Sequence, residues 1–128
     1  MATRSKAKAL DRAERKDRRP KAIAKYIRIA PGKVHVVLDL IRGKSYKDAV
    51  AILKTTNKAA SEPVLKCLNS AAANAEVNLG MNKDTLYVAE CFADQGPTLK
   101  RMQPVSRGRG YSILKRTSHI TVILDEMA

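Results

Sequence analysis

The sequence predicts an α+β domain with a basic tail at its N-terminus and a long cationic hairpin arm near its C-terminus. Three observations predict it. First, the 30 residues from Gln95 to Leu124 contain no Asp or Glu, yet carry Lys100, Arg101, Arg107, Arg109, Lys115 and Arg116. Strand-like sequence flanks this stretch on both sides, and Gly96-Pro97, Pro104, Gly108 and Gly110 punctuate it. Second, apolar residues between Pro31 and Gly80 recur at helical spacing. Third, Ile23, Ile27 and Ile29 with Tyr26 suggest a strand ahead of them. At 128 residues and 45% apolar side chains, the chain suits one domain with short extensions and a modest core. Four Tyr, one Phe and no Trp make that core aliphatic.

Residues 1–20 hold eight bases and three acids, with no apolar periodicity that could pack. They read as a basic N-terminal extension, disordered when free. Such an arm either stays solvated or orders on a polyanion. Residues 21–128 form the single domain. Its first strand spans Lys21 to Ile29. Pro31 then fits the first position of a helix and Gly43 the residue just past its end. Val34, Val37, Leu38 and Ile41 make a helical stripe between them. Val34, Val36, Leu38 and Leu40 also alternate with period two, so a strand competes there. The Pro and Gly at the two ends favour helix.

Ser45 and Asp48 resemble a capping arrangement that opens a second helix containing Val50, Ile52 and Leu53 and ending near residues 55–57. A third helix runs from about Lys58 to Leu79, with Pro63 tolerable only in the first turn or so. Val64, Leu68, Ala71, Ala75 and Leu79 form its stripe, and the alanines at 71, 72, 73 and 75 permit close approach by neighbours. Gly80 closes it. Leu86, Val88 and Phe92 mark a strand, and Ile120, Val122 and Leu124 its partner.

The arm between them covers about residues 93–117. Folding the chain back about Pro104–Ser106 pairs residue 86 with 124 and 92 with 118. Each side is then roughly 17 residues long, on the order of 50 Å from root to tip. A two-stranded ribbon alone is marginal in water. This one also carries uncompensated charge and exposes Leu99, Met102, Val105, Ile113 and Leu114. Either it is a disordered basic loop, or it is a ribbon held rigid by nucleic acid on several sides. The absence of a turn signal from Ser112 to Thr121 favours the ribbon.

The net charge of +13, clustered in tail and arm, points to nucleic acid or an anionic membrane surface. Arg and Lys supply charge-assisted hydrogen bonds to phosphate, Arg bidentately. No apolar run approaches the ~18 residues of a membrane span. The N-terminus lacks a secretory pattern, and Asp11, Glu14 and Asp17 argue against a transit peptide, so a cytosolic protein is expected. Cys67 and Cys91 are isolated, which argues against zinc. They are expected as small buried hydrophobes in a reducing cytoplasm, with a disulfide the lesser alternative.

Nothing suggests an enzyme or a cofactor. His35 and His119 have no nucleophile in a recognisable motif, Asp125-Glu126 is terminal, and no carboxylate pair has acid–base spacing. Arg107-Gly108-Arg109-Gly110 lacks the spacing and context of a dinucleotide loop. A winged-helix DNA binder shares the order of three helices and a basic hairpin. Its recognition helix would need a basic face, and the third helix offers only Lys66 with Asn69, Asn74 and Asn78. The alanine run looks internal and the hairpin too long for a wing, so RNA scaffolding is preferred.

Several segments resemble a known family. Arg28-Ile29-Ala30-Pro31-Gly32-Lys33-Val34, Asp39-Leu40-Ile41-Arg42-Gly43-Lys44 and Ser70-Ala71-Ala72-Ala73-Asn74-Ala75-Glu76-Val77-Asn78 are similar to bacterial large-subunit ribosomal protein twenty-two. So are Asp94-Gln95-Gly96-Pro97-Thr98-Leu99-Lys100-Arg101 and the run Ile113-Leu114-Lys115-Arg116-Thr117-Ser118-His119-Ile120-Thr121-Val122. The likeness covers about residues 21–125 in order.

The resemblance implies three helices packed on a three-stranded antiparallel sheet, with the hairpin threading large-subunit (23S-type) rRNA. It implies a structural constituent of the large subunit that helps rRNA assembly, sits among neighbouring large-subunit ribosomal proteins and works in the cytoplasm, away from membranes. Its tip would line the polypeptide exit tunnel and touch the nascent polypeptide transiently. Carried onto this chain, the tip is Met102 to Arg109, with Met102, Gln103, Pro104, Val105 and Ser106 facing the tunnel. Lys100, Arg101, Arg107, Arg109, Lys115, Arg116 and His119 match the RNA-facing arm, and Arg28, Lys33, Arg42 and Lys44 the RNA-facing body. The family usually has a basic residue at the place of Val105, and commonly Ala at those of Ser106 and Gly110.

Overall fold

A computed structural model describes residues 3–128. The elements run α1 (Arg4–Glu14), β1 (Lys21–Ile27), α2 (Pro31–Ile41), α3 (Tyr46–Thr55), α4 (Ser61–Leu79), β2 (Leu86–Gln95), β3 (Leu99–Pro104), β4 (Gly110–Lys115) and β5 (Ser118–Glu126). The α+β class is as expected. The count differs: among the described residues there are four α-helices, because the extension contains α1, and the strands divide between two antiparallel sheets. One sheet has the order β1-β5-β2, and the other is the β3–β4 hairpin.

Helices α2, α3 and α4 cover the three-stranded sheet, with α4 against β1 and β5 and α2 against β2. Val34, Val37, Leu38 and Ile41 are fully buried, whereas Val36 is 57% and Leu40 45% exposed, so the 3.6-residue stripe prevails over the alternating one. Ser45 caps α3, its Oγ accepting from the Asp48 N–H at 3.2 Å. Helix α4 begins three residues later than the pattern suggests. Starting at Ser61 puts Pro63 in the first turn, where its missing N–H has no intrahelical acceptor to lose. Ala71, Ala72 and Ala75 are fully buried, letting α4 lie close to the sheet. Leu79, expected in the stripe, is 46% exposed at the helix end.

The core is aliphatic, closed by Leu86, Val88, Ile120, Val122 and Leu124 from the sheet. Each fully buried Leu, Ile or Val contributes about 1.5–3 kcal/mol. Cys67 and Cys91 are buried and free. Their thiols donate to Ala22 O at 3.4 Å and Leu38 O at 3.5 Å. Burial pushes both thiols above their usual pKa.

The register corrects the symmetric fold-back. Leu86 pairs with Glu126 and Phe92 with Thr121, not with residues 124 and 118. The hairpin turn is centred on Arg107 and Gly108, both left-handed at φ 58 and 69, rather than on Pro104–Ser106. Val105 N–H donates to Arg109 O at 2.9 Å across it. A bulge between Val88 and Glu90 adds a further shift. Inward residues are therefore Leu86 and Val88, then Cys91 and Ala93, and Phe92 turns outward at 38% exposure.

From residue 3 onward the extension differs from the disorder expected of it, while residues 1 and 2 lie outside the described residues. Ala, Lys, Arg and Leu favour helix, and Arg15 bridges Asp11 one turn away at 2.9 Å. Yet α1 buries no residue. Among the described residues it is attached firmly at its root. Pro20 is buried and its carbonyl accepts from Leu124 N–H at 2.9 Å, while Arg19 bridges Asp17 at 2.7 Å and Glu90 at 2.8 Å.

Candidate nucleic-acid interface

The arm leaves the body where β2 and β5 end their pairing at Gln95↔Ser118. Its root is tight. Gly96 N–H donates to Thr117 O at 2.9 Å, and Thr117 Oγ1 donates to Pro97 O at 2.6 Å. Thr117 and Ser118 are both buried. Beyond them the ladder resumes at Leu99↔Lys115 and ends at Pro104↔Gly110.

Pairing assigns the shaft side chains to faces, since directly opposed residues share one. Arg101 with Ile113, and Leu99 with Lys115, stand on one side; Lys100 with Leu114, and Met102 with Ser112, stand on the other. Cations and apolar residues thus occur on both faces. A ribbon lying flat on a surface would segregate them. This one suits an environment that surrounds it. Lys100, Arg101, Arg107, Arg109, Lys115 and Arg116 are all exposed. Among the described residues, none of the ion pairs involves them.

At the arm's base, Arg28, Lys33, Lys115 and Arg116 line one open cleft of about 620 Å³, with no carboxylate in its wall. It joins the β1–α2 turn to the end of β4. Four cations around one concavity concentrate positive potential in a way that neither segment does alone. Arg42 and Lys44 stand elsewhere, after α2, where Gly43 N–H and Lys44 O bond to Val88 of β2. Arg42 is committed within the body: its guanidinium pairs with Asp39 and donates to Cys91 O at 3.1 Å. Those contacts, the Asp39 hydrogen bond first, hold its pKa above the usual value.

His119 differs most from the expectation for an arm base. It is half-buried on β5, and its Nδ1 accepts the Tyr26 N–H at 3.0 Å. Only Nε2 remains for an external partner. Tyr26 is a residue that pattern reading places in the first strand but gives no part in the site. It has φ 57, a left-handed conformation that stores on the order of 1–3 kcal/mol in a bulky residue. No local sequence signal marks it, because the irregularity arises from how β1 pairs with β5.

The tip residues Gln103, Pro104 and Ser106 are exposed, Val105 is half-exposed, and Met102 is 73% exposed. Helix α4 buries Val64, Leu68, Ala71 and Ala75, and its exposed face carries Glu62, Lys66, Asn69, Ser70 and Glu76, with Lys66 paired to Glu62, so it lacks the basic surface of a winged-helix recognition helix. Among the described residues no group of His, Cys, Asp and Glu could hold a metal ion. No helix there is long and apolar enough to cross a membrane.

Residues 22–125 match the family model for ribosomal protein L22p/L17e. The chain is 57% identical over 108 residues to large ribosomal subunit protein uL22 of Clostridium novyi strain NT, covering 84% of this chain and 97% of that one. It is 58% identical over 106 residues to the uL22 proteins of Desulfitobacterium hafniense strain Y51 and Staphylococcus aureus strain Newman, covering 83% of this chain and 93% and 91% of theirs. The chain therefore belongs to the ribosomal protein L22p/L17e family, a family of ribosomal proteins and not of enzymes.

Proposed function

We propose that this protein is a structural constituent of the large ribosomal subunit that binds large-subunit (23S-type) rRNA by replacing its counterions. The observation that carries the reading is the carboxylate-free arm with cations on both faces. Such a ribbon is marginal alone and gains stability when phosphate surrounds it, so folding of the arm and folding of the RNA support each other. Lys100, Arg101, Lys115 and Arg116 serve the shaft, Arg107 and Arg109 the turn, and Arg28 and Lys33 extend the contact onto the body. Lys44 adds a point on the β2 side, and Arg42 acts there with part of its donor set already used.

In this reading the protein aids rRNA assembly by holding distant segments along one rod. Neighbouring large-subunit ribosomal proteins share the site, in the cytoplasm. The tip from Met102 to Ser106, uncharged and apolar at Met102, Pro104 and Val105, lines the polypeptide exit tunnel and touches the nascent polypeptide in passing. The resemblance supports that placement, and the exposure of Met102 suits it. Residues 21–128 act as the rRNA-binding domain and residues 1–20 as an appended basic segment.

Co-sedimentation tests this. The protein should travel with large subunits at moderate salt and bind structured rRNA fragments over duplex DNA in a filter assay. Free protein at that salt, or equal binding to duplex DNA, would contradict it.

A further inference from the structure

We infer that Tyr26 is a stacking platform for one unpaired nucleobase, displayed by a strained bulge in β1. The inference rests on the RNA-binding reading above and adds a site of different chemistry to it. The ladder between β1 and β5 pairs Ala24 with Ile120 and then Ile27 with Ser118. Three steps on β1 thus match two on β5, which inserts one extra residue. Bulges re-aim side chains, and this one turns the backbone left-handed at Tyr26, with φ 57. Gly, Asn or Asp would take that conformation far more readily than a bulky aromatic residue.

The tyrosine does not compensate by packing. It is 64% exposed and stands outside the core. The protein instead holds it in place. Tyr26 N–H donates to His119 Nδ1 at 3.0 Å, and the two rings meet edge to face, 4.9 Å between centroids and 89° between planes. His119 is the positioning residue. The ring is fixed in direction yet left open to solvent on an edge strand.

Its surroundings name the ligand. Lys25 and Arg28, both exposed, flank it in sequence, and Arg28 leads into the cleft shared with Lys33, Lys115 and Arg116. A fixed aromatic face beside cations is the recognition chemistry of unpaired RNA, in which a splayed base stacks while its phosphates meet Lys and Arg. A buried protein contact would call for an apolar surround, and these neighbours are cations.

The test uses full-length Tyr26→Phe, Tyr26→Gly and Tyr26→Ala with transcribed bacterial large-subunit rRNA, measuring affinity at several salt concentrations and thermal melting. Tyr26→Phe should bind within about twofold of the unaltered chain, whereas Gly and Ala should weaken binding by roughly 5- to 100-fold. Stacking releases no counterions, so the salt slope should not change. Tyr26→Gly should melt higher than the unaltered chain, because glycine adopts the bulge without strain.

Unchanged affinity for Tyr26→Gly would overturn the inference. So would a loss confined to retention on assembled subunits, with naked RNA unaffected, since the partner would then be a protein. An Arg101→Glu/Arg109→Glu variant runs alongside. If it loses RNA binding while the Tyr26 variants do not, the stacking site falls and the arm reading stands. If neither weakens binding, both fall.

Discussion

Gly96 and Thr117 close the root of the arm with no space between them: a Cβ placed on Gly96 would stand 2.4 Å from Thr117 Oγ1. The hydroxyl cannot swing away freely, because it donates to Pro97 O at 2.6 Å. His119 closes the other side, its Cε1 3.2 Å from the same point. Gly96 is therefore required for close approach rather than for an unusual φ. Gly96→Ala should destabilise the protein by about 1–3 kcal/mol through overpacking, seen as a melting temperature lower by several degrees. An unchanged melting temperature would mean that the root is loose and that the shaft is not anchored there.

The buried thiols give a second prediction. Burial raises the pKa of both Cys67 and Cys91, so neither forms the reactive thiolate readily near neutral pH. In the folded protein a thiol-specific reagent should modify neither at pH 8 on the timescale of minutes, and both should react once denaturant is added. Rapid labelling of either one in the native state would contradict the core packing around it.

A third concerns the root of the N-terminal extension. Hydrogen bonds from Arg19 hold the Asp17 carboxyl at a pKa of about 2. Its folded-state pKa is thus depressed below the usual value of about 3.9. The interaction is fully present above that unfolded value and is lost as pH falls through the folded one. An NMR titration should show the Asp17 carboxyl changing near pH 2, and Arg19→Ala should return it toward the ordinary carboxylate range. Ordinary titration in the unaltered chain would show that the Arg19–Asp17 contact does not persist in solution.

Much of this architecture is legible in the residues themselves. Pro31, the Ser45–Asp48 cap and Gly80 bound three helices, because caps and breakers act locally. The acid-free stretch marks the arm for the same reason: charge is a property of composition. Pairing between strands is not local. The bulges near Ala89 and Tyr26 shift register without a sequence signature, which is why Phe92 faces outward and why Tyr26 reads as an ordinary strand residue. The turn at Arg107–Gly108 draws on a left-handed arginine, which residue preferences would not choose over Pro104–Ser106. Of the site, the shaft cations are readable one by one. That Arg28 and Lys33 meet Lys115 and Arg116 in one cleft depends on tertiary packing. The helix in the extension follows from its composition, but α1 buries none of its residues, so apolar periodicity could not announce it.

The most direct test of a counterion-replacing arm is the salt dependence of rRNA binding. The comparison is between the full chain, a variant with Lys100, Arg101, Lys115 and Arg116 each changed to Gln, and a control with Lys47 and Lys83 changed to Gln, which are ion-paired on the body. Each lost phosphate contact should lower the slope of log affinity against log salt by about one. The arm variant should therefore show a slope smaller by about three to four and the control no change. Equal slopes for all three proteins would contradict it.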